Sequence, residues 1–207
     1  MVIANRDLMG QARDALKGKW GLAIGGNVIY IVLFALVQSI PKIGWIAGLI
    51  VGGPLILGWS IFFLTLSRKK EAQLAQLFNG FNQFVNALVA YLLMTLFIIL
   101  WTLLLVIPGI VACLSYAQTF FLLADDPKLE GREAIRKSKN LMMGNRWTLF
   151  CLFWRFFGWF LLGLLSLGIG FLWILPYLQT TLARFYDALI LEKSPNLEMI
   201  NAQIINP

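Results

Sequence analysis

Residues 84–107 read FVNALVAYLLMTLFIILWTLLLVI, twenty-four positions without one charged side chain. At 1.5 Å per residue, an α-helix of about 20 residues crosses a hydrocarbon core about 30 Å thick. A stretch this long and apolar, with no amphipathic spacing, is expected to span a membrane. The rest of the chain agrees. Of 207 residues, 59% are hydrophobic, 14% aromatic and only 13% charged, too little polar surface to coat a water-soluble globule. The net charge of +7 does not point to nucleic acid, because no recognition motif or aromatic-interleaved basic groove accompanies it. Bilayers bias lysine and arginine in the same direction. The first twenty residues include Arg6, Asp7, Arg13, Asp14, Lys17 and Lys19 and no apolar core of signal-peptide type, so no cleavage is expected.

Five further apolar blocks complete the pattern. Residues 21–40 and 45–66 form a hairpin broken by Pro41 and Gly44. The stretch 84–124 is too long for one span, and Pro108-Gly109 is expected to divide it. Residues 147–167 and 171–191 are separated only by Gly168-Ile169-Gly170. The expected fold is therefore all-α and integral to the membrane, with six transmembrane helices in three hairpins. An even number of spans puts both ends on one side. Fifteen of the seventeen basic residues, in 6–19, 68–70, 128–146 and at Arg184 and Lys193, share that side. Lys42 alone lies opposite, and Arg155 lies within a span, so the positive-inside rule places both termini in the cytoplasm. Cys113 and Cys151 fall toward opposite ends of the bilayer, and no disulfide between them is expected.

Each hairpin follows a short segment of different character. Leu8, Ala12 and Leu16 recur at helical spacing in the first; Leu74, Leu77, Phe78 and Phe81 make a stripe in the second; Ile135, Leu141 and Met142 oppose Arg132, Arg136 and Lys139 in the third. These read as amphipathic helices on the inner leaflet. Each ends in a glycine followed by an aromatic residue: Gly18 and Trp20, Gly80 and Phe84, Gly144 and Trp147. The later hairpins share Tyr116-x-Gln118-Thr119 with Asp126, and Tyr177-x-Gln179-Thr180 with Asp187 at the same offset. The pattern suggests one membrane domain built from three parallel repeats, 5–66, 70–124 and 130–191, and a tail, 194–207.

Little of this is equipped for catalysis. The chain has no histidine, and no phosphate loop, zinc spacing or nucleophile elbow surrounds its ten carboxylates. No catalytic residue, cofactor or metal site is expected. Asp125-Asp126-Pro127 reads as a helix stop and turn. Arg155 lies eight positions past Trp147, about 12 Å into a core about 30 Å thick, and is expected to face the bundle. The sixth span offers partners at helical spacing in Tyr177, Thr180, Thr181, Arg184 and Asp187. Together with Gln118, Thr119 and Gln179, these residues make a candidate intramembrane polar site, its functional reading an anion or lipid-headgroup contact. The plainer reading is that Arg155 snorkels or pairs structurally, and that the polar residues only join helices.

A resemblance adds to this reading. Asn5-Arg6 with Ala12, Ala15-Leu16 and Gly18 to Trp20 opens it, and Pro108-Gly109, Ser115-Tyr116 and Asp126-Pro127 continue it. Glu133-Ala134-Ile135 with Ser138, Leu141-Met142 with Gly144 and Trp147, Gly168-x-Gly170, Pro176-Tyr177 and Phe185-Tyr186 complete it. With these residues the chain resembles, nearly end to end, the bacterial integral membrane proteins of domain of unknown function family 975. Arg155 departs from that pattern, where a small or apolar residue is expected. The resemblance implies a multi-span protein of the cytoplasmic membrane and no established reaction.

The expected role is non-enzymatic: binding of anionic inner-leaflet lipid, of an amphiphile, or of a partner membrane protein or second copy, with no nucleic-acid partner. A small transporter is the alternative, its cavity lined by Arg155, Gln118, Gln179, Thr119 and Thr180. An intramembrane enzyme using Asp126 and Asp187 is a third reading.

Overall fold

The computed structural model describes residues 5–42 and 44–205, with side chains as far as Lys193. In order these form α1 (Asn5–Leu16), α2 (Trp20–Gln38), α3 (Gly44–Ser67), a 3-10 helix (Leu74–Gln83), α4 (Phe84–Leu104), α5 (Val106–Tyr116), α6 (Thr119–Asp125), α7 (Gly131–Leu141), α8 (Arg146–Leu165) and α9 (Phe171–Ile205). Five stretches are helical, long and apolar enough to cross a membrane: α2, α3, the 3-10 helix with α4, α5 with α6, and α8. The sixth expected span falls on α9, which is not among them. Gln179, Thr180, Thr181, Arg184 and Asp187 crowd into nine of its residues and dilute its apolar character. The backbone of α9 continues to Ile205, so the helix enters the segment expected to be a separate tail.

The chain breaks between α4 and α5 at Leu105, in extended conformation (φ −160°, ψ 141°), and not at Pro108-Gly109. Pro108 sits in the first turn of α5, where its missing N–H has no helical partner to lose. A second interruption, at Ala117 and Gln118, divides α5 from α6.

The short helices bury their stripes in protein. Leu8, Ala12, Ala15 and Leu16 of α1 are buried, as are Ala134, Ile135, Ser138 and Leu141 of α7, while Arg6, Arg13, Arg132, Arg136 and Lys139 stay exposed. The second segment departs from its α-helical expectation. A period of three puts Leu77 and Gly80 on one face and Phe78 and Phe81 on another, so the first pair is buried and the second exposed. Glycine makes that close packing feasible. A Cβ on Gly58 of α3 would lie 1.8 Å from the Leu77 carbonyl oxygen, and one on Gly80 would lie 2.0 Å from that of Pro54. Gly18 and Gly144, by contrast, turn the chain at φ +74° and +86°.

These contacts close a ring. The 3-10 helix packs on α2 and α3, and α7 packs on α4, α5 and α6; α1 packs mainly on α9 and less on α3 and α8. The 3-10 helix and α7 thus rest mainly on helices that precede them, and α1 rests mainly on the last helix. At the centre α3 meets both α6 and α9, and the rings of Phe121 (α6) and Tyr186 (α9) stack with centroids 5.9 Å apart. Leu57, Leu123, Leu149, Leu152, Phe156 and Ala183 fill the main core around them, each fully buried.

The turn from α8 to α9 is short and self-contained. Leu167 and Gly168 adopt φ +55° and +91°. Every backbone N–H from Ser166 to Ile174 is bonded to a nearby carbonyl, except that of Gly170, which donates to Ser166 Oγ at 2.8 Å. Apart from Ser166, the side chains around it are apolar and bare: Leu167 is 94% exposed.

Candidate functional site

Charges at the ends of α3 and α6 and on α9 come to one meeting point. Arg68 follows the last residue of α3, its N–H still bonded to the Leu64 carbonyl, and Lys69 then turns away at φ +59°. Asp125 ends α6, and Asp187 lies on α9. Arg68 Nη1 donates to Asp125 Oδ1 at 2.5 Å, and its Nε and Nη2 donate to Asp187 Oδ1 at 3.0 and 2.8 Å. Tyr186 Oη, carried by α9 beside Asp187, donates to the other oxygen of Asp125 at 3.1 Å. The three charged side chains are 18–34% exposed, so the cluster is a rim feature and not a dry core. The Asp125 carboxylate, with Asp187 behind it, holds the Arg68 guanidinium charged well above the usual arginine range, against the pull of its burial. A guanidinium so held neither gives nor takes a proton near neutrality. Its chemistry here is to hold three helices together.

The structure disperses the polar site expected from sequence. Arg155 is exposed on the outer face of α8, because the inward face of that helix is taken by Leu149, Leu152 and Phe156. The expectation that it faces the bundle is corrected, and Asp187 pairs with Arg68 instead. Thr119, Thr180 and Thr181 are fully buried, and their hydroxyls donate to the carbonyls of Tyr116, Pro176 and Tyr177 at 2.7–2.8 Å, closing on their own helices. Gln179 and Arg184 are half-buried. Gln118 is fully buried at the break between α5 and α6, and neither amide atom has a protein partner. Asp126 Oδ1 accepts the Lys128 N–H at 3.1 Å, the contact a helix stop and turn would make.

Sequence reasoning missed Arg68 and Asp125. Arg68 was legible only as one of three basic loop residues, and Asp125 only as half of a turn. One signal was available: both charges abut the C-terminal ends of apolar runs, with opposite signs.

Residues 1–116 and 102–193 match the family model described as Protein of unknown function (DUF975). The chain belongs to the DUF975 family. No curated protein and no solved structure matches it. Many of the residues that carried the resemblance hold this DUF975 protein together. Ser138 Oγ donates to the Ser115 carbonyl at 2.9 Å, tying α7 to α5, and Asn5 Nδ2 donates to the Thr148 carbonyl at 3.0 Å, tying α1 to α8. Tyr177 Oη donates to the Met9 carbonyl at 3.1 Å, and Tyr186 belongs to the charged centre. Among the described residues of this DUF975 chain, no group of three His, Cys, Asp or Glu is placed to hold a metal ion.

Proposed function

We propose that this is a multi-pass protein of the cytoplasmic membrane that works by binding lipid, an amphiphile or a partner membrane protein, and not by catalysis. Six spans in three hairpins, with both termini cytoplasmic, fit the one-sided distribution of lysine and arginine. The packing of the 3-10 helix and α7 on helices before them, and of α1 on the last, supports a threefold repeat. One observation carries the functional reading: the charges at the helix junction and the buried threonine hydroxyls, though not the Gln118 amide, are already engaged inside. Arg68 takes both carboxylates at the helix junction, and the threonines take their own backbones. What remains available is the outer surface, apolar with basic residues along the short helices.

The transporter reading needs Arg155, Gln118, Thr119, Gln179 and Thr180 around one cavity. None of them lines a described cavity, and Arg155 faces outward. A native mass spectrum of the protein released gently from its own membrane tests the choice. Retained lipid or a stoichiometric second protein supports binding. A bare monomer that moves solute in proteoliposomes would overturn it.

A further inference from the structure

Two cavities of about 360 and 370 Å³ flank the outward side of α5, each within the roughly 300–1,000 Å³ of small-molecule sites. The first lies between α4 and α5, walled by Trp101, Pro108 and Ala112; the second lies between α5 and α8, walled by Ile110, Leu114 and Phe150. Ile107, Val111 and Arg146 belong to both, and α7 adds Lys139 to the first. Lys139 and Arg146 are the only charged residues in either lining. Among the described residues neither has an ion-pair partner, and Arg146 Nε is buried without an acceptor. A buried guanidinium donor left unpaired is costly, and an anion that reaches it removes the cost. The ridge between the cavities is bare and apolar, with Ile107 76% exposed.

Two unpaired cations beside two apolar troughs, divided by one helix, match a molecule with one anionic head and two apolar chains. We propose that this face binds an anionic phospholipid, its phosphate held between Lys139 and Arg146 and one acyl chain on either side of α5. The proposal rests on the binding reading above and gives it a place and a ligand. Charge complementarity selects the occupant, since a zwitterionic phospholipid brings its own cation beside the phosphate and an uncharged amphiphile offers no anion. Each cation near an anionic lipid surface contributes about fivefold to binding.

The test uses the full chain in mixed vesicles of phosphatidylglycerol and phosphatidylcholine, with bromine on the acyl chains of one or the other. Bromine quenches nearby tryptophan, and with the other six of the eight tryptophans replaced by phenylalanine, Trp101 and Trp147 in the linings of the two troughs report the site. The native chain is expected to prefer phosphatidylglycerol, and the pair Lys139→Gln/Arg146→Gln to lose most of that preference. Arg132→Gln/Arg136→Gln removes the same charge from exposed positions on α7 and is expected to keep it. Val111→Phe, which fills both troughs, leaves both cations and adds no tryptophan, is expected to lose it too. Equal loss in both charge pairs, or an unchanged preference with Val111→Phe, would overturn the site and leave general lipid binding standing. No preference in the native chain would overturn the site and the anionic-lipid arm of the binding reading together.

Discussion

Arg68 reaches Asp187 across 119 positions of sequence with two of its nitrogens, Nε at 3.0 Å and Nη2 at 2.8 Å from one carboxylate oxygen. Its remaining reach goes to Asp125, so one side chain ties the ends of α3 and α6 to the middle of α9.

Removing that side chain leaves two carboxylates together without a cation. Losing one partner of a buried ion pair costs about 3–5 kcal/mol, and partial exposure here reduces this to about 1–3 kcal/mol. Arg68→Met is therefore expected to lower the melting temperature in detergent. The triple change Arg68→Met/Asp125→Asn/Asp187→Asn should recover much of the loss, because it removes the stranded charges as well. A triple variant less stable than Arg68→Met would rule out this account.

Gly58 and Gly80 bring backbone against backbone. Gly58→Ala or Gly80→Ala places a methyl group within 2.0 Å of a carbonyl oxygen and must push the 3-10 helix off α3. Each is expected to cost at least the roughly 1–3 kcal/mol of an overpacked core. Gly25→Ala on α2, where nothing lies within 4 Å, should be neutral or slightly stabilising. Thermal unfolding of the three variants side by side checks the contrast.

Arg155 points away from the bundle, so Arg155→Leu is expected to leave the fold intact. It should also ease membrane insertion, since an arginine at the centre of a span costs about 2.5–3.5 kcal/mol on insertion scales. Expression level and melting temperature report both effects. A loss of stability above about 1 kcal/mol would reveal a partner for the guanidinium.

Topology follows from the basic residues. With the free Cys113 and Cys151 replaced by serine, Lys42→Cys is expected to react with an impermeant maleimide added outside intact cells, and Lys70→Cys only after the membrane is opened. The reverse pattern would invert the orientation.

Apolar blocks made α2, α3, α4 and α8 legible, because a span declares itself through local composition and length. What escaped depends on neighbours that sequence does not place. The 3-10 winding of Leu74–Gln83 follows from contact with Pro54 and Gly58, and its stripe reads equally well at period 3.6. The break at Leu105 precedes its proline by one turn, since a first-turn proline extends the helix it opens. At the centre Asp187 was legible as a partner in search of a cation. The cation it was expected to meet, Arg155, lies on the wrong face of its helix, and Arg68 comes from 119 residues away.

The turn between α8 and α9 asks little of water. Its amides are all engaged, its side chains are hydrocarbon apart from Ser166, and the Ser166 hydroxyl donates to the Gly163 carbonyl. On the proposed six-span reading, the tip between α8 and α9 therefore leaves no charged group to be carried across the bilayer.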